Sequence, residues 1–181
     1  MDKREMRKMI RARKALVTPE QRIAEARAAF AAIEQTEQFA HAKNILLYHS
    51  LTDELPTHET IARWSKLKSL FLPRVNGNDL DIVPFSQDMS SDNTFGIMEP
   101  KGEPVDANIL DLIIVPAVAL DLQGNRLGRG KGYYDRLLAT TSAFTIGVVM
   151  ETQLVEAVPT EVHDHPLNAV FTSTQYHIIM P

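Results

Sequence analysis

The stretch that decides the fold spans residues 110–138. Its centre, residues 124–136, is Gly-Asn-Arg-Leu-Gly-Arg-Gly-Lys-Gly-Tyr-Tyr-Asp-Arg. Before the centre, residues 110–116 (Leu-Asp-Leu-Ile-Ile-Val-Pro) form an apolar run that is typical of a buried parallel strand. After it, residues 134–138 open a helical pattern. The sequence therefore places the glycines in a loop that leads from a strand to a helix.

This loop has glycine at every second position from Gly128 to Gly132. Glycine permits positive φ and lets a ligand approach the backbone N–H groups closely. The positive charges around these glycines are Arg126, Arg129, Lys131 and Arg136. The combination favours a phosphate cradle over the plainer alternative, a tight turn with solvated arginines, although short motifs also occur by chance.

The loop differs from the two best-known phosphate motifs. A Walker A loop requires glycine where Asn125 stands and Ser or Thr where Gly132 stands. A dinucleotide-binding fingerprint that begins at Gly128 requires a third glycine at the position of Tyr133. The loop is therefore neither motif.

Residues 124–135 resemble the signature loop of the 5-formyltetrahydrofolate cyclo-ligases, a family also called 5,10-methenyltetrahydrofolate synthetases. The resemblance covers most of the chain at lower specificity and implies one such domain over residues 1–181. It implies ATP- and Mg²⁺-dependent conversion of 5-formyltetrahydrofolate to 5,10-methenyltetrahydrofolate, with release of ADP and phosphate. ATP would be the co-substrate, Mg²⁺ the cofactor, and Lys131 and Arg129 the catalytic residues.

The resemblance also implies an ATP site. Its residues would be Lys3, Arg7, Arg126, Leu127, Gly128, Arg129, Gly130, Lys131, Gly132, Tyr133 and Tyr134. Because adjacent residues at a helix start point about 100° apart, only one of the two tyrosines is expected to face the ligand. We favour Tyr133, which is nearer the loop, and expect Tyr134 to join the core.

The first segment predicts an amphipathic helix in which Lys3, Arg7 and Arg11 recur at intervals of four and share one face. The residues alone leave three interpretations open: a solvated basic face, which is the commonest, a nucleic-acid or membrane contact, and a clamp on a bound phosphate. The family carries a Lys-x-x-x-Arg pair near its N-terminus that contacts ATP. Lys3 and Arg7 match it, which favours the clamp.

A substrate side is predicted after the buried strand at residues 44–49. Glu54 follows this strand, and open α/β sheets bind ligands at the carboxyl ends of their strands. An exposed loop acid is the plainer alternative. The resemblance implies a folate site formed by Glu54, Glu59, Phe95, Arg129, Gly130, Lys131, Gly132 and Tyr133.

Two of these positions depend on local context. Residues 54–57 are Glu-Leu-Pro-Thr, where the family commonly has Glu-Val-Asp-Thr, so one family aspartate is missing. Phe95 precedes Gly-Ile-Met-Glu-Pro, which resembles the family's Gly-Ile-x-Glu-Pro. Its ring is expected either to cap a hydrophobic cluster or to stack on a flat ligand such as a pterin.

Metal binding is implied by the resemblance at Asp135 and Asp164. One or two carboxylates together with substrate phosphates are ligands that Mg²⁺ prefers. His163 and His165 flank Asp164, but a third ligand at zinc-binding spacing is missing, so no zinc site is expected.

Composition restricts the classes of protein. The 181 residues carry a formal charge of −4, which argues against a dedicated nucleic-acid binder, and no cysteine, which excludes disulfides and a thiolate nucleophile. No long apolar run indicates a signal peptide or a membrane span. We expect a cytoplasmic monomer whose partners are small molecules, with no nucleic acid and no membrane.

The predicted architecture is a Rossmann-like three-layer α/β/α fold with a mostly parallel sheet. Further strands are expected at residues 70–75, 144–150 and 169–172, and Asn76-Gly77 predicts a small hairpin appendage. Ile23 and Leu67 are expected to face the core from their helices. Because fold alone does not determine function, two alternatives stay open: a phosphosugar isomerase or CoA transferase type of enzyme, and a nucleotide- or RNA-binding module.

Overall fold

The computed structural model describes residues 1–90 and 98–179. Its helices are α1 (Lys3–Lys14), α2 (Pro19–Glu34), α3 (Glu37–His41), α4 (His58–Leu67) and α5 (Tyr133–Leu138). Its strands are β1 (Asn44–Leu46), β2 (Ser69–Asn76), β3 (Asp79–Pro84), β4 (Met89–Ser90), β5 (Glu99–Pro100), β6 (Leu112–Val115), β7 (Ala119–Leu120), β8 (Arg126–Leu127), β9 (Phe144–Val148), β10 (Ala169–Phe171) and β11 (Tyr176–Ile178).

Within these described ranges, seven strands form one sheet in the order β11-β10-β9-β6-β1-β2-β3. All neighbours from β10 across to β2 are parallel, whereas β11 and β3 pair antiparallel at the two edges. Two small antiparallel pairs, β4 with β5 and β7 with β8, lie outside this sheet. The predicted mostly parallel sheet with a hairpin appendage is confirmed.

The strand order creates a crevice between β1 and β6. From β1 the chain continues outward to β2, and from β6 it continues in the opposite direction to β9 and β10. The connections at such a switch point leave on opposite sides of the sheet, which opens a space at the carboxyl ends of the two strands. The segments that follow β1 and β6 are therefore placed to form a binding site.

Alternate side chains of the strands enter two cores, one on each face of the sheet. Ile45 and Leu47 join the core beneath α2, α3 and α4, whereas Leu46 joins the core beneath α5. In the first core, Trp64 is fully buried and its ring packs edge-on against Phe30 with centroids 5.7 Å apart. Truncating such a residue to alanine typically costs about 3–5 kcal/mol of stability.

Local sequence signals account for several element boundaries. Thr18 caps α2 in a reciprocal capping box with Gln21, at 3.0 and 3.1 Å. Gly77, with φ of 62°, and Asn78 form the two-residue turn that pairs Asn76 with Asp79, so the predicted hairpin forms with its turn one residue later than Asn76-Gly77.

Three details differ from the sequence-based expectations. Ile23 is 41% exposed and Leu67 is 60% exposed, because Ile23 lies beside the loop after β1 and Leu67 is the last residue of α4. The β7–β8 hairpin also stands between β6 and the glycine loop, which therefore follows β8.

No helix in the described part of the chain is long and apolar enough to cross a membrane.

Candidate active site

A pocket of about 280 Å³ opens at the carboxyl ends of β1 and β6. Residues 128–135 of the glycine loop and the start of α5 form one wall. Another part of the lining, the apolar wall, includes Pro73, Val75 and Leu80 from β2 and β3. Tyr48 and Glu54, which follow β1, also line the pocket. Cationic and apolar side chains thus line the same pocket.

The backbone of the loop requires glycine at two of its positions. Gly130 and Gly132 have φ of 102° and 75°, in a region that other residues rarely adopt. Gly132 immediately precedes α5, and a Cβ there would lie 2.6 Å from Nη1 of Arg136. Substitution at Gly132 would therefore distort the turn that places the following tyrosines.

Arg126 fixes the position of this loop. Its side chain is only 8% exposed, its Nε donates to the carbonyl of Pro116 at 2.8 Å, and its Nη1 contacts Asp135 at 3.2 Å. The guanidinium also lies 5.4 Å from the centroid of the Tyr134 ring. Arg126 therefore connects the end of β6 to the start of α5.

The two tyrosines have different surroundings, as the helical geometry predicts. Burial strongly raises the pKa of Tyr134, so its phenol stays neutral, and its side chain packs against the core beneath α5. Tyr133 extends toward the hairpin, where its hydroxyl donates to the carbonyl of Gly77 at 3.4 Å. Both rings line the pocket, and the preference for Tyr133 as the ring that faces the ligand stays a prediction.

Arg129 reaches from the loop toward the acids that follow β1. Its Nη2 lies 2.8 Å from Oδ1 of Asp53 and 3.6 Å from Oε2 of Glu54. The Glu54 side chain is 12% exposed, and burial raises the pKa of its carboxyl group. The glycine loop and the predicted substrate loop are thus joined by ion pairs.

Helix α1 lies against the glycine loop. Arg7 donates from Nε to the carbonyl of Gly128 at 2.8 Å, and Lys3 donates from Nζ to Asp164 at 3.0 Å. Arg11, the third residue of the predicted basic face, is exposed. Met6 and Ile10 hold the helix in place by packing in a buried cluster formed by residues 118–119, 127 and 158. Arg7 thus lies beside the loop, and the contacts with ATP that the sequence suggested for Lys3 and Arg7 stay predictions.

Sequence reasoning missed two members of this network. Lys14, only 7% exposed, contacts Oδ2 of Asp53 at 2.8 Å. It lies on the same helical stripe as Lys3 and Arg7, seven residues after Arg7, so the spacing contained the signal. Asp53 stands next to Glu54, and burial raises its pKa, but bonds from Arg129 and Lys14 outweigh this and lower it to about 2.

A third missed residue is Glu99 of β5. It is 8% exposed, lines the pocket and accepts a hydrogen bond from the backbone of Val75 at 2.6 Å. Its signal was the Gly-Ile-Met-Glu-Pro run at residues 96–100.

The proposed metal ligands have separate cationic partners. Asp135 contacts Arg126, while Oδ2 of Asp164 accepts from Lys3 and from the backbone of Glu161. Burial raises the pKa of Asp164, but these two hydrogen bonds outweigh it and lower the pKa below its usual value. Burial lowers the pKa of Arg126, and the charges of both aspartates oppose this lowering.

Within residues 1–90 and 98–179, no group of three or more His, Asp or Glu side chains is arranged to hold a metal ion. Mg²⁺ does not require such a group, because it takes one or two carboxylates and completes its shell with water and phosphate oxygens. The donor set of Asp135 and Asp164 fits that requirement. His163 is 67% exposed and contacts Glu161 at 3.1 Å.

One predicted substrate residue is not brought to the pocket, and another cannot be compared with it. Glu59 lies on the exposed side of α4 in an ion pair with Arg27 at 2.7 Å, outside the pocket lining. Phe95 falls outside the described residues.

Fold and pocket together define an α/β protein with a pocket at the switch point of a parallel sheet, the place where proteins of this class bind their ligands. Comparison with known proteins narrows this class. The sequence model of the 5-formyltetrahydrofolate cyclo-ligase family matches residues 1–173. The chain therefore belongs to the 5-formyltetrahydrofolate cyclo-ligase family and is an enzyme of that family.

Individual relatives support this assignment. The chain is 37% identical to the 5-formyltetrahydrofolate cyclo-ligase of Haemophilus influenzae over 137 residues, 70% of this chain and 73% of the relative. It is 33% identical to that of Escherichia coli K12 over 178 residues, 92% of this chain and 98% of the relative.

Solved structures agree. The 5,10-methenyltetrahydrofolate synthetase of Aquifex aeolicus superposes with a TM-score of 0.89 at 32% identity, covering 100% of this chain and 94% of that one. The synthetase of Mycoplasma pneumoniae, with a TM-score of 0.77 at 19% identity over 96% of this chain and 99% of that one, shares the fold.

Proposed function

We propose that this enzyme converts 5-formyltetrahydrofolate to 5,10-methenyltetrahydrofolate with consumption of ATP and release of ADP and phosphate. The observation that carries the proposal is a pocket lined both by a cationic glycine loop and by an apolar wall. A polyphosphate suits the first wall and a flat pterin suits the second. The names of the relatives supply the substrate class.

The chemistry explains why such a pocket needs ATP. The formyl group on N5 of the reduced pterin is an amide, and ring closure by N10 must expel its oxygen, which is a very poor leaving group. Transfer of the γ-phosphoryl group to that oxygen gives a phosphorylated imidate, N10 attacks the carbon, and phosphate leaves as the methenyl bridge forms. Phosphoryl transfer asks the protein chiefly for positioning and charge neutralisation.

The positions of the loop residues support these roles. Arg129 and Lys131 stand at the pocket wall, where they would neutralise the phosphoryl group during transfer. The backbone N–H groups of residues 128–132 would hold the other phosphates, and Arg7 would support them from α1 through its bond to Gly128.

The substrate side would be organised by Glu54 and the apolar wall. Because burial raises its pKa, the carboxyl group of Glu54 takes up a proton more readily than an ordinary glutamate, which suits a hydrogen bond to the polar edge of a pterin. Tyr133 would close over the ring.

Asp135 and Asp164 would hold Mg²⁺, which when bound neutralises phosphate charge and orients the phosphate oxygens. Lys3 would then exchange its present bond to Asp164 for a phosphate oxygen. Because the pocket walls described above come from one chain, we propose that a monomer is competent.

The test is to incubate the protein with ATP, Mg²⁺ and 5-formyltetrahydrofolate and to follow the absorbance of the methenyl product together with phosphate release. Product and phosphate are expected in equal amounts, and neither without ATP. An isomerase or transferase of similar fold would need no nucleotide, so product formation independent of ATP would contradict the proposal.

A further inference from the structure

A chain of three side chains connects helix α1 to the glycine loop through Asp53. Nζ of Lys14 lies 2.8 Å from Oδ2 of Asp53, and the other oxygen, Oδ1, lies 2.8 Å from Nη2 of Arg129. Each oxygen of the carboxylate therefore meets one cation. The three residues come from segments separated by 39 and 76 positions in the sequence.

The two cations differ in mobility. The Lys14 side chain is 7% exposed, so its ammonium group is fixed by its surroundings, whereas the Arg129 side chain is 46% exposed. A long exposed arginine samples many rotamers and loses this freedom when it binds a ligand. Asp53 restricts that freedom in advance. Its carboxylate binds the exposed guanidinium of Arg129 and is itself held by the buried Lys14.

We propose that Asp53 is a positioning residue for the reaction: backed by Lys14, it holds Arg129 at the pocket wall in the orientation that receives the phosphates of the nucleotide. The inference rests on the proposed function, because it takes Arg129 as a phosphate ligand. Asp53 does not itself touch the substrate in this role.

A simpler role for Asp53 predicts the opposite change in affinity for polyphosphate. If Asp53 only neutralised the surrounding positive charge, its removal would make the pocket more positive and strengthen polyphosphate binding. If Asp53 positions Arg129, its removal weakens binding despite the gain in positive charge. The direction of the change in affinity therefore distinguishes the two roles.

The experiment measures dissociation constants by calorimetry for a non-hydrolysable ATP analogue and for inorganic tripolyphosphate. The variants are Asp53→Asn, Lys14→Met, Arg129→Met and the double variant Asp53→Asn/Arg129→Met. Asp88→Asn is the matched control, because Asp88 is 69% exposed and pairs with Lys101 at 3.3 Å away from the pocket.

Asp53→Asn is expected to weaken both ligands about tenfold, the scale of one misplaced hydrogen bond to a charged group, and Asp88→Asn to leave them unchanged. Lys14→Met should have a smaller effect in the same direction. In the Arg129→Met background, Asp53→Asn should have no further effect on the affinity for either ligand. The two substitutions would then be non-additive, which a general loss of stability would not produce.

Equal or tighter tripolyphosphate binding by Asp53→Asn, with the wild-type protein binding normally, overturns the positioning role and leaves the proposed function intact. Full additivity of the two substitutions overturns it as well. A wild-type protein that binds neither ligand overturns the proposed function and the inference together.

Discussion

Helix α1 and the α2–α4 layer both present basic side chains, but these make different kinds of contact. On the layer, Arg27 of α2 pairs with Glu59 of α4, and both side chains are more than half exposed. On α1, Arg7 donates to the backbone carbonyl of Gly128, and Lys14 is almost completely buried. The first contact joins two scaffold helices, whereas Arg7 joins its helix to the glycine loop and Lys14 joins it to Asp53 in the loop after β1.

The difference shows that charge density does not identify a functional helix. Exposed ion pairs of the first kind contribute little, since solvent screens them and the side chains lose entropy. A partly buried hydrogen bond to a loop carbonyl instead fixes the position of that carbonyl. Substitutions on these helices and in the loops that they contact should therefore separate stability from activity, and four predictions test this separation.

The largest effect is expected in the loop that α1 supports. Lys131→Ala should lower kcat about a hundredfold, the usual consequence of losing one charge that stabilises a transition state, about 3 kcal/mol. Because Lys131 is exposed, the melting temperature should stay within about a degree of wild type. Lys101→Ala is the control, and an unchanged kcat for Lys131→Ala would remove this lysine from the mechanism.

The next effect concerns α1 itself. Arg7→Met should lower kcat/KM for ATP about tenfold, because one hydrogen bond from a charged group to the loop is lost. Arg4→Met is matched in residue type and helix, but Arg4 is exposed, so its kinetics should be close to wild type. Similar losses in both variants would show that α1 acts through its overall charge and not through the contact to Gly128.

A smaller effect is expected in the pH dependence of stability. The pKa of Asp53 in the folded protein is about 2, below its ordinary value of 3.8. A carboxyl group with a lowered pKa stabilises the fold above its unfolded pKa, and this contribution is lost as the pH falls through the folded pKa.

The difference in unfolding free energy between wild type and Asp53→Asn should therefore be constant from neutral pH to about 4 and shrink between about 4 and 2. Urea titrations at several pH values measure it, and they should show a modest amplitude because the side chain is 42% exposed. A difference that does not change below pH 4 would contradict the ion pairs with Lys14 and Arg129.

The smallest effect is expected on the scaffold. Arg27→Met should change neither kcat nor KM for either substrate, because the Arg27–Glu59 pair lies outside the pocket lining. The same kinetics test Glu59, which the family resemblance places at the substrate. A clear rise in KM for the folate would contradict this expectation and support Glu59 as a substrate-binding residue.

The sheet and the loop were predictable because their signals are local. Apolar runs of four to seven residues identified the parallel strands, and alternating glycines next to cations identified the loop that lines the pocket. The β7–β8 hairpin escaped because strands of two residues are too short to show a period.

The contacts of Asp53 and Glu99 escaped for another reason. Each is an ordinary acid in the sequence, and its role depends on a partner that only the folded chain brings close. Asp53 meets Arg129 across 76 positions, and Glu99 meets Val75 across 24. The exposure of Ile23 was also hidden in the sequence, because an apolar residue at this position is compatible with either side of α2.

The long separation between α1 and its partners has a consequence for how the molecule assembles. Arg7 and Lys3 bond to residues 121 and 161 positions further along the chain. During synthesis the first helix leaves the ribosome early. The residues that cover its apolar stripe are synthesised only when most of the chain is complete. We expect it to dock last, and in the finished protein its amides should exchange with deuterium through a local opening that leaves the sheet folded.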